Sequence, residues 1–150
     1  DEMVAAIVAV HPALPSGAAR RRASDMQSSF SDATVADWQD LEAGLTLPDQ
    51  DDRHVVAAAL QGRADMIVTA NLRDFPAGVL DPMGLEVQDP DTFLLNQLDL
   101  EPDLVIATLQ GQAAATRRPA ITTKVLLDHL AKCGVPRFAS AAAAQLWREP

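Results

Sequence analysis

LPDQDDRHVVAAALQGRADMIVTANLRDFP, residues 47–76, decides the fold. Its order is loop, helix, loop, strand, loop. Asp49, Asp51 and Asp52 precede or open a helix whose apolar side is Val55, Val56, Ala59 and Leu60, the spacing of one buried helical face. Gly62 follows, where a helix stop belongs. Met66 to Ala70 is a short apolar run, which predicts a strand covered on both faces in a parallel sheet. Asn71 to Pro76 is then the loop beyond that strand's carboxyl end. In an open parallel sheet, ligands and chemistry gather there. Asp74 lies in this loop, and the acidic cluster opening the preceding helix can face it.

Taken singly, each residue has a plainer role. Asp51 or Asp52 suits a helix N-cap, where the helix dipole also favours an acid. Asp74 before Phe75-Pro76 suits a turn, and Thr69 suits a strand because it is β-branched. The combination weighs more, because capping gives no reason for acids at both ends of the unit.

The stretch resembles the PIN-domain nucleases, and among them the VapC-type toxins of bacterial toxin–antitoxin pairs. The family pattern acid-x-x-apolar-x-Ala-x-Ala is matched by Asp52-Arg53-His54-Val55-Val56-Ala57-Ala58-Ala59. An apolar strand and Thr-x-Asp-x-x-Asp-Phe follow in the family; here the match is Thr69-Ala70-Asn71-Leu72-Arg73-Asp74-Phe75. The departure is Asn71, where the family usually places an acid. Glu2-Met3-Val4-Ala5-Ala6 resembles a further family pattern, Glu-apolar-x-x-Ala. On that alignment the family's first strand, with its own acid, falls ahead of Asp1.

The resemblance implies an α/β fold, a small parallel sheet wrapped by helices, with a C-terminal helical extension. It implies an endoribonuclease using Mg²⁺ or Mn²⁺, the toxin of a type II pair. Asp52 and Asp74 become the main site acids and metal ligands, and Glu2 completes the set. Asn71 orients water or a ligand, and Thr69 supports the loop. RNA is the implied substrate, a cognate antitoxin the implied partner, and a homodimer the implied assembly. The physical logic is that converging carboxylates bind a hard divalent ion through oxygen, and the ion activates water and offsets charge on phosphate. Acids held close together repel, so metal should also stabilise the fold.

Composition bounds the rest. The 150 residues carry 12 Lys and Arg against 21 Asp and Glu, a net charge of −9. That length holds one domain, or one with an appendage. A dedicated nucleic-acid binder usually carries a basic face, and here only Arg20-Arg21-Arg22 and Arg117-Arg118 offer one. Both runs suit solvated helix surface. An acidic nuclease is still coherent, because a bound cation supplies the charge that phosphate needs. With two Trp, four Phe and no Tyr, the core must come mainly from Ala, Val and Leu. The single cysteine, Cys133, leaves no internal disulfide and suits a reducing cytoplasm. Its place on the apolar side of a helix predicts a buried structural thiol. No apolar run approaches the ~20 residues that span a bilayer. His11, His54 and His129 are scattered and carry no assigned chemistry.

Along the chain, Met3, Ala6, Ile7 and Val10 form one helical face, ended by Pro12. Ser16 predicts the cap of a helix to about Phe30. Ala33 to Trp38 is a strand candidate, and Asp40 to Thr46 a loop or helical turn. Leu85-Glu86-Val87-Gln88 alternates like an edge strand, and the nuclease-like part, residues 1–89, ends there. Residues 90–150 read as helices. Asp91 caps the first, through Leu98. Pro102 opens the second, with Leu104, Val105 and Leu109 inward. Thr122 or Thr123 starts the third, with Leu126, Leu127, Leu130 and Cys133 inward. Gly134 stops it, and Pro136 starts a fourth that reaches Trp147. Short loops imply antiparallel packing.

Two other classes compete. One is a catalytically inactive PIN-like binding module that engages a protein or RNA without cutting, favoured by the neutral Asn71. The other is a phosphate-handling α/β enzyme, for which no Gly-rich phosphate loop appears. A helix-turn-helix DNA reader would need a basic recognition helix, which the tail lacks.

Overall fold

The computed structural model describes residues 2–15 and 17–148, with the backbone alone for Glu2 and Met3. Helices α1 (Glu2–Val10) and α2 (Ala18–Ser29) form a hairpin. A 3-10 turn (Ser31–Ala33) and the short α3 (Gln39–Glu42) lead to α4 (Arg53–Gln61), strand β1 (Met66–Val68), the single turn α5 (Ala77–Leu80), a second 3-10 turn and β2 (Glu86–Gln88). Four helices follow: α6 (Pro90–Leu100), α7 (Pro102–Ala115), α8 (Thr123–Lys132) and α9 (Pro136–Ala143). The expected small parallel sheet and helical C-terminal part are both present. No described helix is long and apolar enough to cross a membrane.

The sheet has two parallel strands among the described residues, registered Met66 to Glu86, Ile67 to Val87 and Val68 to Gln88. Helix α4 packs on it through Val56 and Ala57, both fully buried. Leu45, Leu47, Ile67, Phe75, Leu80 and Leu85 complete this core. Burying a leucine such as Leu80 contributes about 1.5–3 kcal/mol. The sheet is not covered on both faces: Ile67 is buried, but Val68 is exposed. A run of apolar residues cannot distinguish a central strand from one covered on a single side.

Gly62 does end α4, but not by taking a left-handed conformation. Its φ is −78°, and Arg63 turns the chain at φ 53°. Glycine is required by close approach: a Cβ there would lie 2.8 Å from Cγ2 of Val35. The Ala33–Trp38 strand does not form. Ala33 ends a 3-10 turn and Asp37 has φ 59°, so the segment turns and lays Val35 over the end of α4 without pairing.

A second apolar cluster joins α6 to α9 around Leu98, Ile106, Leu109, Leu127, Phe138 and Ala142. Several details here correct the sequence reading. Asp89, not Asp91, caps α6, its carboxylate accepting from the N–H groups of Asp91 and Thr92 at 3.0 Å and from the Thr92 hydroxyl at 2.6 Å. Asp91 is buried and serves another helix. It accepts from the N–H of Phe138 at 2.7 Å and of Arg137 at 3.1 Å, at the start of α9. In α7, Ile106 points inward while Leu104 is exposed. Cys133 sits at the C-cap of α8 and is exposed, so it is not a core thiol. Thr122 caps α8, and Gly134 stops it at φ 101°. Helix α9 ends at Ala143, short of Trp147. On α1, Val10 is exposed and Ile7 half-buried, so that face is only partly covered by the described chain. The Ser16 cap lies outside the described residues.

Candidate metal centre

The site sits where β1 ends. Thr69 extends the strand by one rung, donating its N–H to the carbonyl of Gln88 at 3.0 Å. The Thr69 hydroxyl then accepts the N–H of Asn71 at 3.1 Å, a local turn of the kind hydroxyl side chains favour. Phe75 is 4% exposed and belongs to the core under the sheet. Burying that ring fixes the loop and sets Asp74, its neighbour, at the rim.

The other side is the opening of α4. Asp49 accepts the N–H of Asp51 at 2.9 Å, curling the loop. Nδ1 of His54 lies 2.6 Å from the carbonyl of Asp51, which assigns the ring proton to Nδ1. The ring also sits 6.0 Å from that of Trp38. Asp52 holds the N-cap position of α4, yet its side chain makes no capping bond to the first turn. Its carboxylate joins a cluster instead: oxygens of Asp49, Asp52 and Asp74 lie within 4.8 Å of one another.

Of the residues singled out in the sequence, Asp52, Asp74, Asn71 and Thr69 are therefore neighbours. Glu2 opens α1, and its side chain lies outside the described residues. Asn71 donates from Nδ2 to Oδ2 of Asp74 at 2.7 Å. An amide oxygen in that position would face a carboxylate oxygen, so nitrogen is the atom turned toward the acid. Asp49 is the member that sequence reasoning left in the background. The Asp-x-Asp spacing of Asp49 and Asp51 signals its turn, but helical periodicity says nothing of where a loop carboxylate projects.

Three carboxylates this close repel. At 4.8 Å, two unit charges interact by about 1 kcal/mol in water and about 3 kcal/mol at a protein surface. Arg73 Nε is 4.0 Å from Oδ1 of Asp74, and its side chain is 95% exposed. An all-oxygen set with no thiolate fits a hard divalent cation such as Mg²⁺ or Mn²⁺ rather than a soft one.

Comparison with known proteins gives the family to which the chain is similar. Residues 4–73 match the family model described as PIN domain, and residues 90–144 match that of the VapC50 C-terminal domain. A relative from Mycobacterium tuberculosis (strain ATCC 25618 / H37Rv), named "Putative ribonuclease VapC50", is 45% identical over 91 residues, covering 61% of this chain and 53% of its own length. The chain thus spans about half the length of that relative. No solved structure matches. The two family matches fall in sequence order, so the chain resembles the PIN-domain family over residues 4–73 and the VapC branch over residues 90–144.

Proposed function

We propose that the chain belongs to a metal-dependent endoribonuclease, the toxin of a bacterial type II toxin–antitoxin pair. The observation that carries this reading is the convergence of Asp49, Asp52 and Asp74 at the carboxyl end of β1, in a chain that resembles this family. In this proposal the three aspartates hold Mg²⁺ or Mn²⁺, with Glu2 as a further ligand. When bound, the ion supplies acidity to an attacking water and positive charge to the phosphate. Asn71 restrains the Asp74 carboxylate through its amide donation, and the Thr69 hydroxyl holds the backbone of Asn71 in the position from which it donates. The neighbouring acids lose their mutual repulsion when a cation is present, so ion binding and folding are coupled.

The proposal extends to an RNA substrate, a cognate antitoxin, a homodimer and a cytoplasmic location. It also divides the chain into a PIN-like part, residues 1–89, and a helical extension, residues 90–150. The two separate apolar clusters support that division.

The test is RNA cleavage with Mg²⁺ or Mn²⁺ by this chain and by its Asp52→Asn and Asp74→Asn variants. Cleavage should need the ion and fall to background in both variants. Cleavage that persists in chelator or in the variants sinks the reading. The second reading, a binding module that does not cut, rests on Asn71 turning an amide nitrogen to the site where the family pattern has an acid. It is favoured if the wild-type chain binds the ion and RNA but leaves the RNA intact.

A further inference from the structure

We propose that Arg73 draws the RNA backbone to this centre, and that it is released to do so when a divalent ion takes Asp74; the inference rests on the nuclease reading above. The chain carries a net charge of −9 and its candidate site is a cluster of acids, so a polyanion meets repulsion from both. A phosphate approaching Asp74 needs a cation fixed beside it. Arg73 is adjacent in sequence, on the same loop, and its side chain is 95% exposed. Arg53 is placed differently: its Nε donates to the carbonyl of Gln50 at 2.9 Å, which ties it to its own loop.

The partner of Arg73 is weakly held. Nε stands 4.0 Å from Oδ1 of Asp74, at the outer limit of an ion pair, and an exposed pair of this kind contributes little to stability. A divalent ion on Asp74 competes with the guanidinium for the same carboxylate and adds positive charge next to it. Arg73 then loses its partner. Its planar fork matches a phosphate in two parallel N–H···O bonds. Metal and Arg73 are therefore competitors for Asp74 but collaborators toward RNA, and removing Arg73 should move the two affinities in opposite directions.

The experiment compares the wild-type chain with Arg73→Gln and Arg73→Lys. Binding of a mixed-sequence single-stranded RNA is followed by fluorescence anisotropy in Ca²⁺, an ion with the oxygen preference of Mg²⁺ and looser geometry, and again in chelator. Mn²⁺ affinity is measured by calorimetry without RNA. The expected result is metal-dependent RNA binding by the wild type. Arg73→Gln should bind RNA about tenfold more weakly, with the slope of log affinity against log salt smaller by about 0.7. Its Mn²⁺ affinity should be higher. Arg73→Lys should keep the salt slope and recover part of the affinity, since it keeps the charge without the fork. A misfolded variant would lose both affinities, so the opposite signs separate a role in binding from damage. Equal RNA affinity and slope in Arg73→Gln, or wild-type binding indifferent to Ca²⁺, overturns the role of Arg73 and leaves the nuclease reading standing on its cleavage test. A wild type that takes up Ca²⁺ but binds no RNA overturns both.

Discussion

Removing the Asp91 carboxylate should cost the helical part of the chain far more than its place beside a helix start suggests. Asp91 is 6% exposed. It bonds to the N–H groups of Phe138 at 2.7 Å and Arg137 at 3.1 Å, from residues 46 and 47 positions away. It therefore ties the opening of α6 to the opening of α9. A hydrogen bond to a charged group contributes about 1.5–3 kcal/mol, and a buried donor left without a partner costs about 1–3 kcal/mol. Loss of an N-cap costs about 0.5–2 kcal/mol. These figures describe overlapping parts of one loss and do not add, which puts Asp91→Ala at about 3 kcal/mol. For a chain of this size that is a fall in Tm of about 6–12 °C. Asp91→Asn keeps one acceptor oxygen and should lose about half as much. Asp103→Ala is the control, because it breaks an ion pair with Arg148 in which the Asp103 side chain is 81% exposed, a contact whose usual contribution is about 0–1 kcal/mol. Urea unfolding followed by circular dichroism reads all three. A loss below about 1 kcal/mol in Asp91→Ala, or equal losses in Asp91→Ala and Asp103→Ala, would refute the argument that burial and long-range capping set the cost.

Two more outcomes follow from the same reasoning. Gly62→Ala gains about 0.4–1 kcal/mol by restricting the unfolded chain, at a φ that alanine tolerates, but its Cβ would sit 2.8 Å from Cγ2 of Val35 and 3.2 Å from the carbonyl of Ala58; overpacking costs about 1–3 kcal/mol, so the variant should be net destabilised in urea, and Val35→Ala in the same chain should relieve the clash. The Thr92 hydroxyl and then the Thr92 N–H hold the Asp89 carboxyl below its ordinary value of 3.8 against an upward push from burial, with lesser help from the Asp91 N–H and the charge of Arg137; a lowered folded pKa contributes stability that is complete above the ordinary value and is lost as pH falls through the folded one, so the urea midpoint should drop below about pH 4, and Asp89→Asn should flatten that part of the profile.

Local signals carried the architecture because they act over one or two turns of chain. Val56 and Ile67 reached the core on spacing and apolar character alone, and Thr122, Gly134 and the prolines at the starts of α7 and α9 marked helix ends by chemistry that needs no distant partner. Asp52 and Asp74 stood out because their loops flank one helix–strand unit. Errors arose where the deciding contact is remote. Ala33 to Trp38 has strand-like composition, but its place against α4 is set by Gly62, nearly thirty residues on. Leu104 and Ile106 are both plausible inward residues on α7, and only the position of α8 and α9 selects Ile106. Cys133 lies on the apolar side of α8 by periodicity, but that helix ends at Lys132, which leaves the thiol outside.

The aspartates at helix openings show why the candidate site was only half legible. Asp49, Asp52, Asp89 and Asp91 all have the sequence signature of an N-cap or first-turn acid. Asp89 fulfils it, satisfying the first amides of α6. Once it does, Asp91 two residues later has no such task in its own helix, and its carboxylate is available to α9. The same logic operates at α4. Asp49 uses one oxygen to turn the loop, and Asp52, although it occupies the N-cap position, makes no side-chain capping bond. Neither carboxylate is used to cap α4, and both meet Asp74 across the end of β1. What separates a capping aspartate from a candidate metal ligand here is thus the destination of the carboxylate, which depends on the loop beyond β1 and on the buried ring of Phe75 that anchors it.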